Sequence, residues 1–192
     1  MNKKVLYSVI SLVFILFVVV VSFICFGGKK NSDKVKEDEP VKVEKPFITE
    51  YSIEEVSDEE VKEIFLNNHA MALGDSMGEG LDAYKVLYSE SVVYTRGRRI
   101  DNMVKDMPKV IEYNPKYLFL SYGANDIIKW NGDVEGFINA YKNSISYIKE
   151  VLPDTIIIIN SVLPVSEKAI NNKRAFTYQS EFNSKLMELC KS

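Results

Sequence analysis

The pattern of hydrophobic and polar residues divides the chain into three parts. An uncharged apolar run extends from Val5 to Phe26, and a stretch rich in Lys, Glu, Asp and Val extends from Lys29 to Pro46. Short apolar runs and amphipathic stripes alternate from there on. At about 1.5 Å per residue the first run spans roughly 33 Å as a helix, which matches a hydrocarbon core of about 30 Å. The pattern predicts a cytoplasmic stub with a transmembrane helix (1–28), a charged disordered linker (29–46) and one folded domain (47–192).

The residues that flank the apolar run indicate its orientation. Lys3 and Lys4 precede it, which favours a cytoplasmic amino terminus and an extracytoplasmic domain, although Lys29 and Lys30 weaken the asymmetry. A cleaved signal peptide is the alternative. The run is longer than a typical signal peptide core and no small-x-small cleavage site follows it, so we expect an uncleaved anchor in the cell membrane.

From Ser57 on, the pattern alternates between helix and strand. Ser57 and Glu60 form a capping box that begins a helix ending near Asn68. Apolar periodicity predicts four strands, at Ala70–Leu73, Val92–Tyr94, Tyr117–Leu120 and Thr155–Asn160. A helix is predicted after the first strand, ending near Tyr88. Three more are predicted over residues 100–111, 137–152 and 182–189, the first of them with a kink or break at Pro108. These steps predict an α/β fold with a parallel sheet, in which four consecutive isoleucines form a strand covered on both faces.

Composition limits the chemistry of the chain. There are 8 basic and 5 acidic residues up to Pro46, but 16 and 22 from Phe47 onward, so the domain carries a net charge of −6. Such a domain is a poor candidate for nucleic-acid binding, which depends on neutralising phosphates. Two cysteines make no disulfide framework, and one histidine excludes a His-rich metal site. We expect neither a metal nor another cofactor.

Three unusual loops follow the first three predicted strands, at 74–80, 96–99 and 123–126. In a parallel α/β sheet, ligands bind beyond the carboxyl ends of the strands. The first loop places Ser76 at a strand-to-helix turn, where the hydroxyl is exposed and backbone N–H groups can receive negative charge. Alternatively, Asp75 and Ser76 only cap a helix. Phosphate binding is disfavoured because the loop is acidic and lacks a P-loop lysine.

The order of these motifs resembles a known family. The SGNH (GDSL) hydrolases carry three sequence blocks of the same kind, matched here by Gly74-Asp75-Ser76, Gly97 and Gly123-x-Asn125-Asp126. The resemblance covers about residues 70–192. It implies a flavodoxin-like three-layer sandwich and serine-dependent cleavage of esters.

The resemblance also implies roles for individual residues. Ser76 would be the nucleophile, and the oxyanion hole would comprise the backbone N–H groups of Ser76 and Gly97 with the side-chain amide of Asn125. A second family, the α/β-hydrolases, is compatible with Gly74-x-Ser76-x-Gly78. It is less favoured, because its nucleophile follows several strands and here only one helix and the linker precede the first strand.

The general base of the SGNH pattern is missing. The family ends with an Asp-x-x-His block, and nothing after Asn160 resembles it. The one histidine, His69, precedes the strand that leads to Ser76, roughly 20 Å away at about 3.3 Å per residue. We therefore interpret it as structural. Asp126 and Glu79 are poor substitutes, since a carboxylate of ordinary pKa accepts a hydroxyl proton badly.

Two interpretations fit this gap. The chain is a truncated copy lacking the last strand with its Asp/His pair, or a non-catalytic relative that binds carbohydrate or acyl ligands. We favour truncation, because the sequence stops after a helix where a further strand is expected.

The remaining candidate residues surround the second loop. Arg96, Arg98 and Arg99 are either a solvated basic loop or a group that attracts an anionic substrate such as a cell-wall polymer. Asp75, Arg98, Arg99 and Asp126 are candidate substrate contacts. The sequence thus predicts a membrane-anchored extracytoplasmic esterase that forms an acyl-enzyme on an O-acyl ester.

Overall fold

The first described helix begins where its sequence dictates. The computed structural model describes residues 56–191, and α1 extends over Asp58–Asn67 with Ser57 as its N-cap. The Glu60 N–H donates to Ser57 Oγ at 3.3 Å, and the Ser57 N–H donates to Glu60 Oε2 at 2.8 Å. This confirms the predicted capping box, which satisfies two N–H groups that the helix leaves unpaired.

Four parallel strands form one sheet. They are β1 (Ala70–Gly74), β2 (Val92–Tyr94), β3 (Tyr117–Ser121) and β4 (Ile156–Ile159), in the order β2-β1-β3-β4. Gly74, the last residue of β1, lies opposite Tyr94 and Ser121. Because these ends are level, the loops that follow the first three strands leave the sheet at the same edge.

Helices connect the strands and extend beyond the last one. They are α2 (Ser76–Ala83), α3 (Met107–Tyr113), α4 (Ala124–Trp130), α5 (Val134–Val151), α6 (Glu167–Asn172) and α7 (Gln179–Leu189). Short 3₁₀ segments occupy Ser89–Ser91, Ile100–Asp106 and Arg174–Tyr178.

Two predicted helices are wrong in detail. The helix after β1 stops at Ala83 instead of near Tyr88, and Lys85 in the following turn has a φ of 58°. The predicted helix over 100–111 is a 3₁₀ segment followed by α3. The expected break near Pro108 is present, because Pro108 lies in the first turn of α3, where a missing N–H costs nothing and the proline helps to begin the second helix.

Helices cover both faces of the sheet. On one face, Leu118 and Leu120 pack in a core with Phe137 of α5 and Phe182 of α7, whose ring centroids are 4.6 Å apart. On the other, Phe65 of α1 contacts Phe119 with centroids 5.1 Å apart. The predicted α/β sandwich with a parallel sheet is therefore confirmed.

The prediction for β4 is wrong. We expected its isoleucines to be covered on both faces, but Ile156 is 49% exposed and the other three are half-buried. Within residues 56–191, β4 has β3 on one side and no strand on the other, so it is the edge strand of the described sheet.

The predicted anchor (Val5–Phe26) and linker (29–46) lie outside the described residues. No helix in the described part, 56–191, combines the length and hydrophobicity needed to cross a bilayer.

Candidate active site

Backbone contacts hold the ends of three strands close together. The Asp75 N–H donates to the Ser121 carbonyl at 3.4 Å, and the Thr95 N–H donates to the Gly74 carbonyl at 3.2 Å. A Cβ on Gly74 would lie 2.7 Å from the Ser121 carbonyl oxygen, so this position excludes a side chain. The first and third loops therefore begin side by side, and the second begins next to the first.

One side chain then joins all three loops. Asn125 Nδ2 donates to Asp75 Oδ2 at 3.0 Å and to the Arg98 carbonyl at 3.2 Å. Asp75 belongs to the first loop, Arg98 to the second, and Asn125 to the first turn of α4. The structure thus brings together one predicted site residue from each loop.

Ser76 is exposed at the first position of α2. Asp75 is the N-cap of this helix and accepts from the Met77 N–H at 3.0 Å, so the capping function considered from sequence is real for Asp75. The Ser76 hydroxyl makes no hydrogen bond with any residue in 56–191. Its N–H lies at the helix start, where backbone donors have no intrahelical acceptor. Both groups of Ser76 are available to a ligand.

Gly97 has a second available donor. Its φ of 72° is in the left-handed region, and no heavy atom lies within 4 Å of where a Cβ would be. Gly97 is exposed, and its N–H donates to no acceptor within residues 56–191. The turn around it is closed by the Arg98 N–H, which donates to the Thr95 carbonyl at 3.1 Å.

The Asn125 amide is already occupied. Its two hydrogens are directed at Asp75 and at the Arg98 carbonyl, which uses the full donor capacity of a primary amide. An oxyanion role for Asn125 therefore requires one of these hydrogens to be shared with the ligand.

The three arginines are all paired with carboxylates, although the Arg96 side chain is exposed to solvent. Arg98 donates through Nε and Nη2 to Asp106 at 2.6 and 2.9 Å, and the side chains of this pair are only 15% and 8% exposed. Arg96 is paired with Glu79, and Arg99 with Asp101. Since each guanidinium has a carboxylate partner, the candidate substrate contacts at Arg98 and Arg99 are engaged within the protein.

Two further candidate contacts lie below the surface. Asp75 is 1% exposed and Asp126 is fully buried, so in this conformation neither carboxylate reaches a ligand. Burial raises the pKa of Asp75, against hydrogen bonds from Met77 and Asn125 that lower it. Burial raises the pKa of Asp126 to about 7, although a hydrogen bond from the Ile100 N–H opposes this shift.

The histidine lies at the other edge of the sheet. His69 directly precedes β1 and has a φ of 50°, and its ring stacks on Tyr113 with centroids 4.4 Å apart. Its Nε2 lies 2.9 Å from the Tyr113 carbonyl oxygen. Because Ser76 follows the carboxyl end of β1, His69 cannot act as its base, as predicted. In the described part of the chain, no cluster of three or more His, Cys, Asp or Glu side chains could hold a metal.

Sequence reasoning missed two residues that hold the second loop. Asp106 binds the Arg98 guanidinium and accepts from Thr95 Oγ1 at 2.9 Å. Ser144, on α5, donates to the Ile100 carbonyl at 2.9 Å. Ser144 had a detectable signal, since it is a polar residue on the apolar stripe formed by Tyr141 and Ile148. Nothing local marks Asp106 as the partner of Arg98.

Solved structures share this architecture. A proposed acylhydrolase from Bacteroides fragilis aligns with a TM-score of 0.51 at 15% identity, over 65% of this chain and 63% of that protein. A proposed platelet activating factor from Streptococcus pneumoniae aligns with a TM-score of 0.51 at 20% identity, over 69% of each chain. The domain therefore shares the α/β fold of these two proteins.

The similarity has defined limits. This chain spans less than two thirds of the length of the Bacteroides fragilis protein. A proposed GDSL-like lipase from Parabacteroides merdae aligns over 59% of this chain and 74% of its own at 15% identity, and its TM-score of 0.36 carries no weight for the fold. No protein-family model and no curated protein matches the sequence. At these identities the likeness concerns the fold alone.

Proposed function

We propose that the domain is a serine-dependent ester hydrolase of the SGNH/GDSL type, with Ser76 as its nucleophile. The observation that carries this proposal is the joining of three loops by Asn125 beside an exposed serine at a helix start. In the SGNH/GDSL fold this edge of the sheet is where a ligand is expected.

The chemistry follows from the available groups. Ser76 Oγ attacks the carbonyl carbon of an ester, and its proton passes to a base. The tetrahedral oxyanion accepts hydrogen bonds from the backbone N–H groups of Ser76 and Gly97 and from a shared hydrogen of Asn125. The alcohol leaves, and water then releases the acid from the acyl-serine.

The substrate class and location are further parts of the proposal. The substrate is an O-acyl ester, such as the O-acetyl group of a cell-wall polymer. The domain acts outside the membrane, to which the apolar run from Val5 to Phe26 attaches it. The acylhydrolase description of one structural neighbour supports ester chemistry.

The base sets the expected rate. His69 lies at the wrong edge, and loss of the histidine from a Ser-His-Asp enzyme costs about 10⁶ in turnover. Oxyanion donors and binding alone retain about 10³–10⁴ over water. We therefore propose that a base from outside this sequence completes the site, and we expect slow hydrolysis without it.

A second candidate function is non-catalytic binding of carbohydrate or acyl ligands. It is favoured by the position of His69 and by the full occupation of the Asn125 amide.

Chemical rescue with imidazole distinguishes the two functions. The full chain and Ser76→Ala are compared for hydrolysis of a chromogenic acetate ester as imidazole is added, with Ser89→Ala as an exposed-serine control. A hydrolase shows an imidazole-dependent rate that Ser76→Ala removes and Ser89→Ala keeps. Equal rates in all three proteins would reject the esterase proposal and support the binding function.

A further inference from the structure

The loop that carries Gly97 ends at a peptide group that is held on both sides. The Ile100 N–H donates to Asp126 Oδ1 at 3.0 Å, and the Ile100 carbonyl accepts from Ser144 Oγ at 2.9 Å. Ile100 itself is fully buried. The end of the loop is therefore fixed in the core, by one side chain from α4 and one from α5.

The first turn of α4 contacts this loop twice. Asn125 binds the Arg98 carbonyl, and the next residue, Asp126, binds the Ile100 N–H. The two contacts lie on either side of Arg99, and Gly97 directly precedes Arg98. The two contacts thus hold the backbone one and three residues after Gly97.

The second carboxylate oxygen of Asp126 has no partner. Asp126 Oδ2 is buried and makes no hydrogen bond within residues 56–191. A buried carboxylate with one hydrogen bond is poorly stabilised as an anion, which explains why burial raises the pKa of Asp126 to about 7. Groups on the neighbouring elements also affect it. They are Asp75 before α2, Arg99 and Asp101 around the second loop, Tyr122 after β3, and Tyr141 on α5.

These neighbours do not neutralise Asp126 when it ionises. The negative charges of Asp101 and Asp75 oppose the ionisation of Asp126, and the positive charge of Arg99 favours it. Burial raises the pKa of Tyr122 and Tyr141 and keeps both side chains uncharged. Asp101 is itself paired with Arg99 and Lys129. Ionisation of Asp126 therefore places a new charge directly on the acceptor of the Ile100 N–H.

We propose that Asp126 is a positioning residue, which holds the Ile100 N–H and thereby sets the direction of the Gly97 amide. A fully buried Asp126 touches no substrate and acts only through this loop. A hydrogen bond to an ionised acceptor is roughly twice as strong as one to a neutral acceptor, so the loop is held more tightly when Asp126 is charged. The link to an oxyanion hole rests on the proposed function, but the positioning itself does not.

NMR spectra of the full chain in detergent solution, with ¹⁵N-labelled glycine and isoleucine, test this proposal between pH 5 and 9. We expect the Gly97 and Ile100 amide signals to shift with a common midpoint near pH 7, matching the titration of the Asp126 carboxyl carbon. Asp126→Asn keeps an acceptor oxygen but cannot ionise, so both amide shifts with pH should disappear. Ser144→Ala removes the other contact to Ile100 and should keep the titration.

Each outcome is decisive. A Gly97 signal that does not move in the wild type, that moves with a midpoint different from that of Asp126, or that titrates unchanged in Asp126→Asn would overturn the proposal. The wild-type comparison decides even if the variant does not fold. Because these signals do not depend on catalysis, failure of the imidazole rescue would reject the esterase function and leave the positioning of Gly97 intact.

Discussion

Replacement of Arg98 by methionine tests whether the second loop is held by a buried ion pair. The variant removes both hydrogen bonds to Asp106, whose side chain is 8% exposed, and leaves that carboxylate with only Thr95 as a partner. Breaking a buried pair costs about 3–5 kcal/mol, whereas an exposed pair contributes about 0–1. Because Arg98 keeps 15% exposure, we expect an intermediate loss of about 2 kcal/mol in the free energy of unfolding.

The chain contains a matched control. Arg96→Met breaks the pair with Glu79 on the same loop, but the Arg96 side chain is 76% exposed, so its effect should be a small fraction of that of Arg98→Met. Arg98→Lys keeps the charge without the two-pronged geometry and should fall between them.

Urea unfolding of the full chain, followed by the fluorescence of the single tryptophan, Trp130, measures all three variants. With a slope of about 2 kcal/mol per molar, Arg98→Met should lower the midpoint by about 1 M. Equal midpoints for Arg98→Met and Arg96→Met would refute the assignment of Arg98 to an internal, structural contact.

Three further predictions address other parts of the domain. Since the pKa of Asp126 is raised from 3.8 to about 7, the wild type should lose stability as pH rises from about 4 to about 7, by at most on the order of 4 kcal/mol. In urea unfolding, the midpoint of Asp126→Asn should not show this decrease with pH. The same decrease in the variant would contradict the raised pKa of Asp126. Gly123 has a φ of 146° and a Cβ there would lie 2.1 Å from Val162 Cγ2, so Gly123→Ala should lower the free energy of unfolding by more than about 2 kcal/mol. Gly97→Ala, with open space around the new Cβ, should lower it by about 1 kcal/mol. Similar urea midpoints for the two variants would argue against this packing. His69→Asn, in which asparagine tolerates the positive φ, should leave the rate of ester hydrolysis unchanged, and a large loss of rate would give the histidine a catalytic role.

The fold and the place of the site were predictable because their signals are local. Short apolar runs define the strands, and the capping box at Ser57 defines the start of α1. Ser76 was found from its position at a strand-to-helix turn, whereas Gly97 and Asn125 were found from the resemblance to the SGNH (GDSL) hydrolases. The loops could be placed together since parallel strands end at one edge of a sheet.

The contacts that hold the site were not predictable, because they join residues that nothing local relates. Nothing in the local sequence relates Arg98 to Asp106, and only the turn at Thr95 and the 3₁₀ segment bring the two side chains together. The apolar spacing over 100–111 does not distinguish a 3₁₀ segment from an α-helix, since both place residues i and i+3 on one side. Four isoleucines do not reveal whether a further strand lies beside them, which is why the exposure of Ile156 was missed.

Covalent labelling shows whether Ser76 is a reactive nucleophile. The full chain is treated with a fluorophosphonate, which reacts with an activated serine and leaves a phosphonate that resembles the tetrahedral intermediate, and peptide mass spectrometry locates the adduct. With imidazole present as the base, we predict an adduct on the peptide containing Ser76 that forms faster than on exposed serines such as Ser89, and its loss in Ser76→Ala. Labelling of Ser76 no faster than that of Ser89, with or without imidazole, would contradict it.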